Sequence, residues 1–289
     1  MDIGFIGLGN MGSPMAKNLA DAGHAVAGFD VTGIAVDGVK SVSSASEAAA
    51  GREVVITMLP NGDIVRAVHA DVIASAAPGT VIVDCSTIDV ESARAVAADA
   101  EAAGHMAVDA PVSGGIGGAE AGTLTFMAGG GDDGFAKANA LFDIMGQKAV
   151  HCGPSGNGQA AKICNNMILG VSMIGVCEAI NLADRLGLER QSMFDVVSTS
   201  SGYCWSLNAY CPAPGIGPKS PSDNDYQPGF AAELMLKDLL LAQAAASSTG
   251  AATPLGAHAS EIYEAYVGEG GKGKDFSAML QRIAQLSAD

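Results

Sequence analysis

The chain has 289 residues, of which 48% are hydrophobic, and this length suits two domains or one α/β domain with a large appendage. Its formal net charge of −16 disfavours binding to nucleic acid or to an anionic membrane, because both surfaces are themselves negative. The six cysteines form no CxxC pair and the five histidines show no HxxxH or Cys/His spacing, so neither a metal site nor a disulfide framework is predicted. Reduced thiols, and a strand pattern at the very start instead of a basic leader, predict a cytoplasmic protein.

The first 30 residues carry a dinucleotide-binding pattern. An apolar run at 2–6 predicts a buried parallel strand, and a helical pattern at 13–22 follows a glycine-rich segment. Gly7 permits the tight turn, Gly9 lets the main chain approach a pyrophosphate, and Gly12 lets the helix pack close to the strand. The residues expected to contact the dinucleotide are Gly7, Leu8, Gly9, Asn10, Met11 and Gly12.

Asp30 follows the second predicted strand, at 25–29, and selects the cofactor. A carboxylate in this place accepts hydrogen bonds from the hydroxyls of the adenosine ribose and repels a 2′-phosphate. No arginine or lysine follows closely, because the next four residues are Val, Thr, Gly and Ile. The sequence therefore predicts NAD, not NADP, as the cofactor.

Strand and helix patterns continue to alternate as far as residue 152, which is typical of a doubly wound parallel sheet. Strands are predicted at 54–58, 81–85, 107–110, 124–128 and 149–152. Helices are predicted at 44–50, at 89–103 and between the last two strands. Asp37 and Gly38 interrupt the expected second crossover helix. Ligands of such sheets lie beyond the carboxyl ends of the strands. The residues expected there, along the nicotinamide half of the cofactor, are Leu59, Pro60, Ser86 and Thr87.

Ser113 is followed by Gly114 and Gly115, and further glycines continue to residue 122. A serine hydroxyl followed by exposed main-chain N–H groups suits a carboxylate or another small anion. Taken alone, the segment can equally be read as a flexible loop.

The segment 156–185 predicts one long apolar helix that opens on a glycine turn. A membrane span is the alternative, but polar side chains recur too often for a lipid-facing helix. They are Lys162, Asn165, Asn166, Glu178, Asn181, Asp184 and Arg185. Lys162 and Asn166 are four residues apart and therefore share one helix face. Lys162 is either a surface lysine that extends its stem along the helix or a buried functional group.

Strand patterns disappear beyond residue 188, and helices are predicted at 190–198, 231–247, 260–267 and 276–286. Between the first two lies a loop at 200–229, rich in Pro, Gly, Ser and Asn, and loops of this length are usually functional. It holds Trp205, the only tryptophan of the chain. The predicted fold class is α/β. A Rossmann-type doubly wound sheet occupies 1–157, an interdomain helix 158–187, and an all-helical domain for substrate binding and oligomerisation 188–289.

Several of these segments together resemble the β-hydroxyacid dehydrogenase family. They are FIGLGNMGSPMAKNLADAG (5–23), DCSTI (84–88), DAPVSGG (109–115), GNGQAAKICNN (156–166), MLKDLLLA (235–242), SSGYCWSLNAYCPAPG (200–215), DNDYQPGF (223–230) and KDFSAML (274–280). The similarity covers essentially the whole chain and is strongest to members that oxidise 3-hydroxyisobutyrate in valine catabolism. It implies a Rossmann domain and an all-helical domain joined by one long helix, assembled as homodimers or homotetramers.

The resemblance also implies roles for the matching residues. Lys162 matches the catalytic lysine, and Asn166 matches the residue that orients the substrate beside it. The residues matching substrate-binding positions are Ser113, Gly114, Gly115, Trp205, Phe230 and Asp238, with the serine and glycines on the carboxylate and the two aromatic residues as a wall. Lys237 pairs with Asp238 near the nicotinamide, and Lys274 adds a second basic position on the cofactor side.

The reaction implied by the resemblance is NAD-dependent oxidation of 3-hydroxyisobutyrate to methylmalonate semialdehyde, with Lys162 as general acid and base. An unperturbed lysine, with a pKa of about 10.4, is a poor base near neutrality. Burial and the positive charges of the nicotinamide and Lys237 are expected to lower that pKa.

Several alternatives stay open. A related enzyme could act on serine or 3-hydroxypropionate, or reduce glyoxylate, tartronate semialdehyde or succinic semialdehyde. These substrates differ from 3-hydroxyisobutyrate by small groups, and one methylene is worth only about 1–3 kcal/mol of discrimination. An imine-reducing relative is disfavoured because a lysine stands at position 162. A catalytically inactive scaffold protein is disfavoured because Lys162 is retained and the chain is acidic. A metal-dependent dehydrogenase is disfavoured because the histidines and cysteines lack the spacing of metal ligands.

Overall fold

The computed structural model of the protein describes residues 1–287. The chain forms two compact units, of which the first comprises Met1–Lys162 and the second begins at Ile163. The first unit is an α/β structure and the second is helical.

A nine-stranded mixed sheet forms the centre of the first unit. Its strands are β1 (Asp2–Ile6), β2 (Ala25–Phe29), β3 (Lys40–Ser41), β4 (Val54–Thr57), β5 (Val81–Asp84), β6 (Met106–Asp109), β7 (Val112–Ser113), β8 (Leu124–Gly130) and β9 (Gly146–Gly153). The first six are parallel in the order 3-2-1-4-5-6, which is the Rossmann order and confirms the predicted doubly wound sheet. Strand β8 continues the sheet antiparallel to β6, and it pairs with β7 and β9.

Six helices belong wholly to the first unit: α1 (Gly12–Asp21), α2 (Ala45–Ala49), α3 (Gly62–Ser75), α4 (Val90–Ala102), α5 (Gly115–Glu120) and α6 (Asp132–Met145). Three of them begin at a side chain that accepts a hydrogen bond from the first helical turn, namely Ser44, Asn61 and Asp89. Because these caps follow strand ends closely, they fix where the loops above the sheet turn into helices.

The structure departs from the predictions in one helix of 14 residues and in several short elements. Helix α3 and strands β3 and β7 were not predicted, and the glycine-rich segment after Ser113 forms the six-residue helix α5 instead of a flexible loop. Between β2 and β3 the chain runs through turns without a helix, where Asp37 and Gly38 interrupt the pattern.

The second unit contains most of α7 (Asn157–Leu186), followed by α8 (Arg190–Val197), α9 (Trp205–Asn208), α10 (Ala232–Thr249), α11 (Pro254–Tyr266) and α12 (Met279–Leu286). Within its described residues it has no strand, only an isolated bridge between Ala231 and Asp275. Leu239 on α10 approaches so closely that a Cβ on Gly170 would lie 3.1 Å from it. The fully buried side chains of its core include Met173, Leu239, Tyr263 and Met279.

Helix α7 is long and apolar enough, by length and composition alone, to cross a membrane. One face of α7 instead packs into the core of the second unit, where Met173 and Cys177 are fully buried and Ile180 nearly so. Lys162 and Asn166 on the same helix are buried as well. Because one face of α7 packs into a protein core and exposed charged residues such as Glu178 and Asp184 lie on the rest of its surface, α7 is a core helix and not a lipid-facing one.

Candidate active site

The turn between β1 and α1 leaves no room for side chains at two of its glycines. Gly7 has a φ of +93°, which L side chains rarely adopt, and a Cβ there would lie 2.2 Å from the Met58 carbonyl oxygen. A Cβ on Gly12 would lie 1.9 Å from the Gly7 carbonyl oxygen. A Cβ on Gly9, by contrast, would meet no protein atom within 4 Å. The space above Gly9 is therefore open, as the close approach of a pyrophosphate requires.

Asp30 lies directly after β2, with its carboxylate against this turn. One oxygen accepts a hydrogen bond from the Leu8 N–H (2.8 Å), and the other accepts from the Thr32 N–H (2.8 Å) and hydroxyl (2.5 Å). Burial acts to raise the pKa of Asp30, but these hydrogen bonds together outweigh it and the net pKa is lowered. The group is thus a carboxylate at neutral pH. Its remaining lone pairs can accept from ribose hydroxyls, so the turn and Asp30 together fit a dinucleotide.

Ser86 connects the loops that follow β4 and β5. Its hydroxyl accepts from the Leu59 N–H (2.8 Å) and donates to the Asp84 carboxylate (2.5 Å). Ser86 is fully buried, so its side chain holds the Leu59 main chain in place and is not exposed on the surface of the loop. Thr87 is half-buried and Pro60 is exposed at the same edge of the sheet.

The Asp84 carboxylate belongs to a buried polar network beneath these loops. It accepts from the Thr57 hydroxyl (2.7 Å), which lies 3.0 Å from Nε2 of His69. Burial lowers the pKa of His69, while the nearby Asp84 charge opposes that shift. The neutral His69 therefore serves as a buried hydrogen-bonding partner of Thr57 at the end of β4.

Lys162 is 7% exposed, and its ammonium nitrogen donates to the Val112 carbonyl oxygen at 2.8 Å. Val112 immediately precedes Ser113, which is half-buried at the end of β7. The first residue of α5 follows at Gly115. Within the first unit, the amine therefore lies against the strand that carries the predicted carboxylate-binding segment.

Asn166 lies one helical turn beyond Lys162 in α7 and is 1% exposed. Its side-chain amide donates to the Asp238 carboxylate at 2.5 Å and accepts at its oxygen from Asn165. Lys237 adds a charge 3.9 Å from the other Asp238 oxygen. The second unit thus holds an amide, a carboxylate and an ammonium group in one cluster.

Aromatic side chains form a stack near the start of α9. Trp205 is half-exposed and stacks on Tyr210, with the ring centroids 4.9 Å apart. Phe276 lies 5.4 Å from Tyr210 and meets Phe230 edge-on at 5.7 Å. This arrangement connects Trp205 and Phe230, which were predicted as a wall, through two further rings.

Comparison with known proteins assigns the chain to a family. Residues 2–153 match the model described as the NAD binding domain of 6-phosphogluconate dehydrogenase. Residues 156–283 match the model described as the NAD-binding region of NADP-dependent 3-hydroxyisobutyrate dehydrogenase. The chain is 49% identical over 286 residues to a probable 3-hydroxyisobutyrate dehydrogenase of Mycobacterium tuberculosis, covering 97% of each chain. The chain belongs to the β-hydroxyacid dehydrogenase family.

A solved structure and one further relative indicate the class of substrate. The solved structure of the M. tuberculosis 3-hydroxyisobutyrate dehydrogenase with L-serine superposes with a TM-score of 0.93 at 49% identity over 98% of each chain. The NAD-dependent L-serine dehydrogenase of Pseudomonas aeruginosa is 45% identical over 285 residues, covering 96% of each chain. The protein is therefore an NAD-dependent hydroxyacid dehydrogenase whose substrate is a small β-hydroxy acid.

Tyr210 in the aromatic stack, and Asp275 beside the stack, were not singled out as site residues from the sequence. The fully buried Asp275 carboxylate accepts from the Tyr210 hydroxyl (2.8 Å) and from the Phe230 N–H (3.0 Å). Burial and the Asp275 charge raise the pKa of Tyr210, so its hydroxyl stays protonated and remains a donor. Only the folded structure brings these groups together, since Tyr210 and Asp275 are far apart in the chain. Lys274, the neighbouring predicted cofactor residue, is exposed and lies 3.4 Å from the Gln281 side chain.

Asp109 accepts hydrogen bonds from the main-chain N–H groups of Gly156 (2.7 Å) and Gln159 (2.9 Å) at the start of α7. Burial raises its pKa from 3.8 to about 6, against the effect of these donors. The folded protein therefore binds this proton more tightly than the unfolded chain does. Between about pH 4 and pH 6 the free energy of unfolding is expected to fall as the pH rises.

In Asp109→Asn the decrease in the free energy of unfolding between about pH 4 and pH 6 is expected to be smaller by up to about 3 kcal/mol. This follows because the pKa of Asp109 is raised from 3.8 to about 6 and each pKa unit corresponds to 1.36 kcal/mol. Urea unfolding at pH 4, 5, 6 and 7 measures the change, with Asp71→Asn on the exposed face of α3 as the matched control. Equal slopes in the wild type and Asp109→Asn would contradict the assignment.

Proposed function

We propose that the protein oxidises 3-hydroxyisobutyrate to methylmalonate semialdehyde with NAD, with Lys162 as general acid and base. The observation that carries the proposal is that the Lys162 amine is buried and donates a hydrogen bond to the Val112 carbonyl oxygen, next to Ser113. Bound NAD supplies the hydride acceptor. The proton of the substrate hydroxyl must go to a protein group, and Lys162 is that group; in the reverse direction it returns the proton to the carbonyl oxygen.

The other residues of the proposed site bind and orient the substrate. Asn166 shares a face of α7 with Lys162 and is assigned to hold the reacting hydroxyl. Ser113, with Gly114 and Gly115, is assigned to the substrate carboxylate. Fixing both ends of a small molecule in this way contributes to the rate as well as to binding. Trp205 and Phe230 are assigned to cover its aliphatic part and exclude water, and Asp238, which accepts from Asn166, fixes the orientation of that amide.

The cofactor residues are proposed in the same way. Gly7, Gly9 and Gly12 receive the pyrophosphate, as the open space above Gly9 supports, and Asp30 binds the adenosine ribose. The remaining residues proposed along the dinucleotide are Leu8, Asn10, Met11, Leu59, Pro60, Ser86, Thr87, Lys237 and Lys274. For Ser86 the proposed role is indirect, through the Leu59 main chain that it holds.

The organisation of the molecule is proposed from the family resemblance. Residues 1–157 bind NAD, the helix at 158–187 links the two domains, and residues 188–289 bind the substrate and form a homodimer or homotetramer. The six free cysteines suit a reducing compartment, and we place the enzyme in the cytoplasm, in valine breakdown.

L-serine is the second candidate substrate, because one relative is named as a serine dehydrogenase and another was solved with L-serine. The two substrates share a carboxylate and a primary β-hydroxyl and differ in a methyl against an ammonium group. Purified protein is tested with 3-hydroxyisobutyrate, L-serine, 3-hydroxypropionate and glycerate, each with NAD and NADP, by absorbance at 340 nm. We expect the highest kcat/KM with 3-hydroxyisobutyrate and NAD. A higher value with L-serine would transfer the assignment to serine, and inactivity with every β-hydroxy acid would refute it.

A further inference from the structure

Gln159 in the first turn of α7 uses both ends of its side chain on one loop. Its carbonyl oxygen accepts from the Ile88 N–H at 3.1 Å, and its amino group donates to the Ser86 carbonyl oxygen at 2.7 Å. The two main-chain groups lie on either side of Thr87. Gln159 is fully buried, so water does not replace these bonds when they are removed.

The main chain of Gln159 is itself held from another strand. Its N–H donates to one oxygen of Asp109 at 2.9 Å, and the Gly156 N–H donates to the other at 2.7 Å. Asp109 is the last residue of β6, so its side chain connects that strand directly to the first turn of α7. Gln159 is thus fixed at its backbone by β6 and at its side chain by the loop after β5.

Lys162 follows Gln159 by three residues, a spacing that puts both side chains on neighbouring positions of one helix face. The Lys162 amine contacts the Val112 carbonyl oxygen, three residues after Asp109. The amine, the loop at 86–88 and the end of β6 therefore form one block of hydrogen bonds inside the first unit. A displacement of about 1 Å between reacting groups can cost about 100-fold in rate.

We propose that Gln159 is a positioning residue that keeps the main chain on both sides of Thr87 in register with Lys162. The inference rests on the proposed function, in which Thr87 lies along the nicotinamide half of NAD and Lys162 exchanges the substrate proton. Gln159 touches neither reactant. It acts through the loop, and its loss leaves every proposed catalytic group present but misplaced.

The test compares Gln159→Met, which keeps the length of the side chain and removes both hydrogen bonds, with Asn157→Met. Asn157 is also in the first turn of α7, and its amide donates to the Cys152 carbonyl oxygen at 2.9 Å, away from the loop. In the protein without ligands, amide hydrogen exchange at Ile88 is expected to be at least about tenfold faster in Gln159→Met, because its acceptor is gone. Exchange at Ile88 is expected to be unchanged in Asn157→Met.

The kinetic measurements use 3-hydroxyisobutyrate carrying two deuterium atoms at C3, with NAD. Gln159→Met is expected to lower kcat about 30- to 100-fold, to raise KM for NAD severalfold, and to increase the deuterium isotope effect on kcat. A purely structural role would reduce only the fraction of active protein, which leaves KM and the isotope effect unchanged. Gln159→Glu, which keeps the acceptor for Ile88 but opposes the Ser86 carbonyl oxygen with a carboxylate, is expected to lie between the wild type and Gln159→Met.

The inference is overturned if Gln159→Met matches Asn157→Met in Ile88 exchange, KM and isotope effect. It is also overturned if Gln159→Glu and Gln159→Met both retain wild-type turnover. If Gln159→Met does not fold, Gln159→Glu alone decides, and wild-type kinetics in that variant reject the proposal. The proposed function is tested with a different variant. Near-normal turnover of Lys162→Ala would reject the lysine mechanism, and the exchange result at Ile88 would still stand.

Discussion

Lys162→Ala is expected to lower kcat by about 10³-fold or more, because the variant has no group to take the substrate proton. Binding of NAD is expected to stay within about threefold of the wild type, since the proposed adenosine and pyrophosphate contacts come from the glycine turn and Asp30. Steady-state kinetics at 340 nm and calorimetric titration with NAD measure the two effects separately.

Two controls make the Lys162 result specific. Lys148→Ala removes an exposed lysine from β9 and is expected to leave kcat unchanged. Lys162→Arg keeps a positive charge, but a guanidinium does not deprotonate in proteins, so its turnover is expected to stay as low as that of Lys162→Ala. Near-normal turnover in Lys162→Ala would remove the lysine from the mechanism.

Asp30→Ala combined with Val31→Arg is expected to shift the ratio of kcat/KM for NAD over NADP by about 100-fold or more toward NADP. The variant loses an acceptor for the ribose hydroxyls and gains a cation for the 2′-phosphate, and two charge-assisted contacts of about 1.5 kcal/mol each give a shift of this size. Val31 is exposed, so an arginine is accommodated there without disturbing the core.

The single variants separate the two parts of the cofactor effect. Asp30→Ala alone is expected to weaken NAD, and Val31→Arg alone is expected to help NADP only slightly, because the Asp30 carboxylate still repels the phosphate. An unchanged ratio in the double variant would exclude the ribose role of Asp30.

The sequence predicted the parts of the fold that depend on local pattern. The glycine turn was predictable because strand, glycines and helix occur in a fixed order with fixed spacing. The long helix was predictable because a mostly apolar pattern continues through the segment 156–185 without Pro, and α7 has 30 residues. Helix α3 was missed for an equally local reason. The residues 59–62 have the composition of a turn, whereas the Asn61 side chain accepts from the Ile64 N–H and begins a helix.

The candidate site was predictable where a residue type carries the chemistry. A lysine, an asparagine and a serine followed by glycines are recognisable in a motif, but their geometry depends on partners far away in the chain. Asp109 reaches the start of α7 across 47 residues, and Gln159 reaches Ser86 across 73. Nothing in the local pattern indicates that Ser86 is buried and holds Leu59. Such contacts between strand ends and the next helix become visible only when the sheet is assembled.

The most direct test of the lysine mechanism is stopped-flow measurement of hydride transfer in Lys162→Ala at saturating NAD and 3-hydroxyisobutyrate, with and without added ethylamine. Without amine, the lysine mechanism predicts a rate constant about 10³-fold or more below that of the wild type. With amine, it predicts a rate that increases with the concentration of the free base. Hydride transfer within about tenfold of the wild-type rate in the absence of amine would contradict it.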